Sequence, residues 1–188
     1  MDKFGYKQAI VVFRPQDEVR IVYGGADTSE SLQQWVYEKA VPLVGEYNDD
    51  TAELYKKRNL PILKVFTDVN WESNVKSTMY YVNRLKKIAK NANIFNKLSF
   101  TLVNKANARQ DLDKFGMSLG KDEAGVVIED ANGKYKMNGG FSVDNVQNFV
   151  NDFFAGKLKN YVKSQSIPEK NDGPVTVVVG ETFKDIVL

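Results

Sequence analysis

The sequence predicts an α/β protein with a mixed central sheet and helices on both of its faces. Three observations carry that prediction. Short β-branched runs alternate with segments whose apolar residues recur every three or four positions. Several strand–helix–strand steps follow one another, which makes parallel strands. A strand pair joined by a tight turn then closes the series and adds an antiparallel edge. The 188 residues allow one generous domain or one and a half small ones, and 43% hydrophobic against 27% charged residues is an ordinary globular balance.

Each element follows from local chemistry. Ala9-Ile10-Val11-Val12-Phe13 is a short apolar strand ended by Arg14-Pro15, and Val19–Tyr23 is a second, stopped by Gly24-Gly25. Thr28 or Ser29 caps a helix in which Leu32, Trp35, Val36 and Lys39 follow at helical spacing, up to Pro42. A new unit opens with the strand Leu43–Tyr47, and Asn48-Asp49-Asp50 caps a short helix over 50–58, broken by Asn59-Leu60-Pro61. Ile62–Thr67 lacks clean alternation, which predicts a strand buried on both faces. Val75, Met79, Val82, Leu85, Ala89 and Ala92 step by three and four and predict a long helix over about 72–92. The strand Leu98–Val103 follows, then a helix over 107–115 that stops at Gly116. Val126–Asp130 and Tyr135–Met137 flank the turn Ala131-Asn132-Gly133. The last helix covers about 143–155, starts at Ser142 and ends at Gly156. From 43 to 157 the order is therefore β-α-β-α-β-α-β-β-α, the thioredoxin order of elements. The strand-strand-helix unit before it repeats the last three of those elements and reads as the back end of another copy. Residues 159–174, polar and basic with Pro168, Gly173 and Pro174, read as a linker. Val175–Gly180 reads as the first strand of a third copy.

Composition narrows the chemistry. The chain contains no cysteine and no histidine. Thiol nucleophiles, disulfide exchange, cysteine metal sites and histidine acid–base work are thereby excluded within it. No catalytic residue, cofactor or metal is expected. The formal charge of +2 is too mild to argue for nucleic acid. No apolar run approaches the ~18 residues of a membrane span. Met1–Gly5 has no apolar signal core and Asp185–Leu188 carries no retention tetrapeptide, so no targeting signal is expected in either segment.

One helix face carries charge in a pattern. Lys76, Tyr80, Arg84 and Lys87 are spaced four, four and three, which puts them on one side of the long helix. Lys76 and Arg84 are then roughly 12 Å apart along its axis. Two cations framing an aromatic suit an extended acidic partner and salt-sensitive association. The alternative is a solvated helix face. Lys56-Lys57-Arg58 at a helix end reads as dipole capping. Trp35 and Trp71 read as packing residues at domain edges. The pairs Asp49-Asp50 and Asp111/Asp113 lack any spacing argument for acid–base work, and Gly24-Gly25 and Gly139-Gly140 read as turns.

Several segments resemble the b′ domain of protein disulfide isomerases: Leu43-Val44-Gly45, Val69-Asn70-Trp71, Tyr80–Arg84, Lys114–Met117 and Phe153–Lys159. The most specific is Val162–Glu169 running into Asn171–Val175, which resembles the linker from b′ to a second catalytic domain. The likeness is strongest to the member associated with calnexin and calreticulin and to its three-active-site relative. It implies a thioredoxin-like fold with the end of a b domain at 1–41, a whole b′ domain at 42–158, the linker at 159–174 and the start of an a′ domain at 175–188. It also implies an endoplasmic reticulum lumen setting. The parent would catalyse thiol–disulfide exchange through cysteines outside this chain. The resemblance implies that Lys76 and Arg84 meet the acidic P-domain of a calnexin/calreticulin-type lectin chaperone. It offers a second site for unfolded polypeptide, an apolar cleft at Leu112, Phe115 and Met117. For that cleft, ordinary core at a helix end is the preferred reading. A spacer that only orients catalytic neighbours is the remaining alternative. Where this fold usually has a cis-proline, the chain reads Asp122-Glu123-Ala124-Gly125-Val126, so a trans bond is expected. The two ends are expected to dock on the core or on a neighbouring molecule, with a dimer through them as one outcome.

Overall fold

A computed structural model describes residues 9–14, 17, 19–164, 168, 171, 173, 175–180 and 182–187. Two strands, β1 (Val11–Arg14) and β2 (Val19–Val22), pair antiparallel and lead into helix α1 (Ser29–Lys39). Thr28 caps α1, its hydroxyl accepting from the Ser31 amide. Then come β3 (Gly45–Glu46), α2 (Asp49–Lys57), β4 (Ile62–Thr67), α3 (Val75–Ala89), α4 (Ala92–Phe95), β5 (Ser99–Asn104), α5 (Arg109–Lys114), β6 (Gly125–Glu129), β7 (Lys134–Lys136), α6 (Val143–Phe154) and α7 (Phe183–Val187).

The second sheet runs β3-β5-β4-β6-β7. Its first three strands are parallel, and β6 and β7 are antiparallel to their neighbours. Alternation along the strands splits the core in two. Leu63, Val65, Phe100, Leu102, Val126 and Ile128 face α3 and α6, meeting Val82, Leu85, Val146, Phe149 and Val150. Phe66, Val103 and Val127 face the other way, toward Phe115 beyond α5, and Tyr55 of α2 packs with Val41 and Phe95. Helices thus cover both faces, and β4 is buried on both as its sequence predicts.

The first unit is fastened to the second by a buried polar contact. Arg14 donates to the Val41 carbonyl at 2.8 Å, and Asp17 accepts from the Leu43 amide at 2.7 Å. Lys86 of α3 lies 3.1 Å from Asp17, whose side chain is shut off from solvent.

Several boundaries differ from the sequence reading. β3 is only two residues long, because it is a sheet edge paired with β5 alone. The long helix starts at Val75, not near 72. Asn70 Oδ1 accepts from the Glu72 and Ser73 amides and holds that stretch as a turn, and Asn74 then caps the helix. Past Ala89 the chain forms the separate short helix α4, which apolar spacing through Ala92 does not distinguish from a continuation. Val175–Val179, expected as a strand, enters no ladder among the described residues. Its Val177 is instead bracketed by both side-chain atoms of Asn171, and Val179 is buried beside Gly180, which lies against Val162–Ser164. None of the described peptide bonds is cis.

Candidate functional site

Helix α3 sorts its residues by face. Thr78, Val82, Leu85, Ile88 and Ala89 are buried. The Thr78 hydroxyl donates to the Asn70 carbonyl at 3.0 Å and accepts from its amide at 2.8 Å, which ties the entry turn to the first helical turn. On the opposite side Lys76, Tyr80 and Lys87 are exposed, with Arg84 half-buried among them. The Arg84 guanidinium lies 3.4 Å from the centre of the Tyr80 ring, a face-on cation–π contact, and Nη1 donates to the Tyr80 carbonyl at 3.3 Å. Tyr80 is itself held by rings beneath it. Its centroid is 5.0 Å from Tyr81 and 6.4 Å from Phe141. Lys76, Arg84 and Lys87 have no acidic partner among the described residues. Lys86, one position before Lys87, is turned inward to Asp17 instead. The face is a preformed stripe of cations stiffened by a stacked pair.

Leu112, Phe115 and Met117 do come together, in one cluster with Phe66, Val103, Ala108 and Val127. Phe115 is only 1% exposed. Its ring lies 6.3 Å from Phe66 on one side and 6.0 Å from Tyr161 on the other. Tyr161 belongs to the segment read as linker, and that segment is pinned where it leaves α6. The Tyr161 amide donates to the Lys134 carbonyl at 2.6 Å, Asn160 donates to the Asn132 carbonyl at 3.3 Å, and Lys136 donates to the carbonyls of Phe115 and Gly116. Gly116 is required here: its φ is +53°, and a Cβ would collide with the Tyr161 hydroxyl. The apolar site is therefore filled by the chain itself.

Two minor expectations are corrected. Arg58 is not a surface dipole cap. It is 6% exposed, stacks 4.2 Å from the Phe95 ring centre, and donates to the Phe95 carbonyl and the Ser99 hydroxyl. Burial pulls its guanidinium down to about 10. Trp71 is not packed at an edge but 46% exposed, with Nε1 donating to Glu46 at 2.7 Å. Asp49 and Asp50 sit in the first turn of α2, Asp111 pairs with Lys114, and Asp49 and Asp111 line one shallow pocket with Asn48, Asn104 and Asn107. The Arg14–Asp17–Lys86 contact escapes sequence reading, because opposite charges so far apart in the chain carry no register.

A family profile described as a thioredoxin-like domain matches residues 1–152. The chain is 36% identical over 165 residues to protein disulfide-isomerase A3 of Gallus gallus, covering 85% of this chain and 32% of that protein. It is 31% identical over 179 residues to protein disulfide-isomerase A4 of Mus musculus, covering 94% of this chain and 27% of that protein. It thus spans about a third of the length of these relatives. Among solved structures, the bb fragment of ERp72 superposes with a TM-score of 0.62 at 24% identity, covering 75% of this chain and 61% of that one. Human ERp44 in a zinc-bound form gives 0.52 at 22% identity, covering 74% of this chain and 40% of that one. These likenesses show the same fold.

Proposed function

Given that this chain belongs to the thioredoxin-like domain family, in the b–b′ region of the protein disulfide isomerases, we propose that it is a non-catalytic binding region whose α3 face holds an acidic partner. The observation that carries this reading is the stripe Lys76, Tyr80, Arg84 and Lys87, exposed except for the half-buried Arg84, whose cations have no acidic partner among the described residues. The competing cleft at Leu112, Phe115 and Met117 is occupied by Tyr161. An extended carboxylate-rich segment, such as the P-domain tip of a calnexin/calreticulin-type lectin chaperone, would lie along α3 and bridge Lys76 and Arg84. The parent protein would carry the thiol–disulfide exchange in flanking domains and work in the endoplasmic reticulum lumen. On this reading residues 1–41 close a b domain, 42–158 form b′, 159–174 lead out and 175–188 open a′.

A spacer role has one observation in its favour, the buried Arg14–Asp17–Lys86 contact that fixes the two units to each other. Calorimetric titration with a lectin P-domain separates the two. The binding reading expects micromolar affinity that weakens from low to moderate salt and is lost in Lys76→Ala/Arg84→Ala. A spacer gives no heat of binding with either chain.

A further inference from the structure

A cavity of about 380 Å³ opens beside the middle of the α3 stripe, and Tyr80 belongs to both. Tyr80, Tyr81 and Phe141 give it an aromatic wall, and Asp122 and Glu123 line it beside them. The rings brace one another: Tyr81 lies 5.0 Å from Tyr80 and 4.9 Å from Phe141, edge to face in both cases. Tyr81 and Phe141 also pack against the main core, which fixes the wall to the fold.

The acidic side is fixed as well. Lys105, just past β5, donates to the carbonyls of Gly120 and Lys121, both at 2.7 Å, and pairs with Asp68 at 3.1 Å. Glu123 Oε2 accepts from the Gly120 amide at 2.8 Å and closes the loop on itself. These bonds use main-chain oxygens and one oxygen of Glu123. Neither the Asp122 nor the Glu123 carboxylate has a cation partner among the described residues. They are also the only charges among the described lining residues.

An aromatic wall beside two uncompensated carboxylates suits a cation on an apolar stem. Arg84 already stacks on the Tyr80 ring, so the rings left to a ligand are Tyr81 and Phe141. A guanidinium fits better than an ammonium, because it is planar, stacks on rings and can donate to two carboxylates at once.

We propose that this cavity takes an arginine side chain of the acidic partner that lies along α3, its guanidinium meeting Asp122 and Glu123 and its stem lying on Tyr81 and Phe141. The proposal rests on the α3 reading above and adds a feature to the partner: an arginine inside its acidic run. Lys76 and Arg84 grip that run on either side of Tyr80, which sets the arginine near its middle.

The test uses the 188-residue chain and two fluorescein-labelled dodecapeptides of Asp, Glu and Gly, read by anisotropy. One has arginine at its centre and the other citrulline, the neutral isostere. Attraction to α3 alone favours the citrulline peptide, which carries one more net negative charge. The cavity predicts the opposite order, with the arginine peptide about fivefold tighter. Asp122→Asn/Glu123→Gln keeps the acceptor for the Gly120 amide and should abolish the arginine preference. Asp49→Asn/Asp50→Asn makes the same charge change on α2 and should leave the preference in place. Lys76→Ala should weaken both peptides by about the same factor. Failure of the α3 reading shows there, as two affinities that do not move, whereas failure of the cavity shows in the ratio of the two peptides. Equal binding or a citrulline preference in the unmodified chain, an arginine preference that survives Asp122→Asn/Glu123→Gln, or one lost equally in Asp49→Asn/Asp50→Asn would each overturn the proposal. No binding of either peptide at millimolar concentration would overturn both readings.

Discussion

Tyr55 and Arg58 lie three residues apart on one helix end and answer to the same physics with opposite signs. Burial pushes the Tyr55 hydroxyl well above its ordinary value near 10. In the unfolded chain it loses its proton at that ordinary value, while the folded chain still holds it. The folded state then binds more protons, so stability is full below pH ~10 and falls as pH rises above it. Alkaline unfolding by circular dichroism should show this slope, and Tyr55→Phe should flatten it. Arg58 is the reverse case, a cation kept at a cost inside the fold. Its guanidinium satisfies the Phe95 carbonyl and the Ser99 hydroxyl. Arg58→Met would leave both acceptors buried and unpaired, and we expect a loss of about 2 kcal/mol in urea unfolding. A gain in stability would mean that desolvation outweighs those contacts.

At the scale of elements, α3 and the segment after α6 do different work. The outward stripe of α3 is exposed, so Lys76→Ala/Arg84→Ala should change unfolding stability by no more than about 0.5 kcal/mol while abolishing acidic-partner binding. The segment after α6 is structural where it meets Phe115. Tyr161→Ala removes the ring that shuts off the cluster of Phe66, Phe115 and Val127. We expect about 3 kcal/mol of destabilisation and a rise in binding of an apolar dye, with Phe115→Ala cancelling the dye signal. The sequence shows why α3 is a helix and which side is buried, since its apolar steps are regular. It does not show that residues 158–161 pack, because Asn160 and Tyr161 act through main-chain and ring contacts that have no periodicity. Nor does it show where α3 starts: the Asn70 turn and the Asn74 cap lie among polar residues that serve either state.

At the scale of the molecule, the two units meet through apolar and charged residues together: Val41 packs with Tyr55 and Phe95, Lys57 of α2 donates to the Tyr37 hydroxyl of α1, and a charged group sits beside them. Asp17 holds the Leu43 amide, Arg14 and Lys86 at once. Asp17→Ala leaves two cations near each other in a largely buried place. Hydrogen exchange should then speed up across β1 and β2 while β4, β5 and β6 keep their protection, at a cost of about 2–3 kcal/mol to the junction. Uniform protection in the variant would mean that α1 and the apolar contacts suffice. The five-stranded sheet with helices on both faces was legible in the chain, because strand-helix alternation and the Ala131-Asn132-Gly133 turn leave one order of elements. The exposed cations of α3 were legible as well. What the chain hides is long-range: the Asp17 contact, the burial of Arg58 and the cavity by Phe141 depend on which distant segments meet.

The proposed docking of an acidic partner on the α3 face can be read by amide chemical-shift mapping of the 15N-labelled chain with an acidic P-domain peptide. The largest, salt-sensitive shifts are expected at Lys76, Tyr80, Arg84 and Lys87, with Phe115 and Met117 unmoved. Shifts centred on Leu112–Met117 and Tyr161, or none along α3 at saturating peptide, would contradict it.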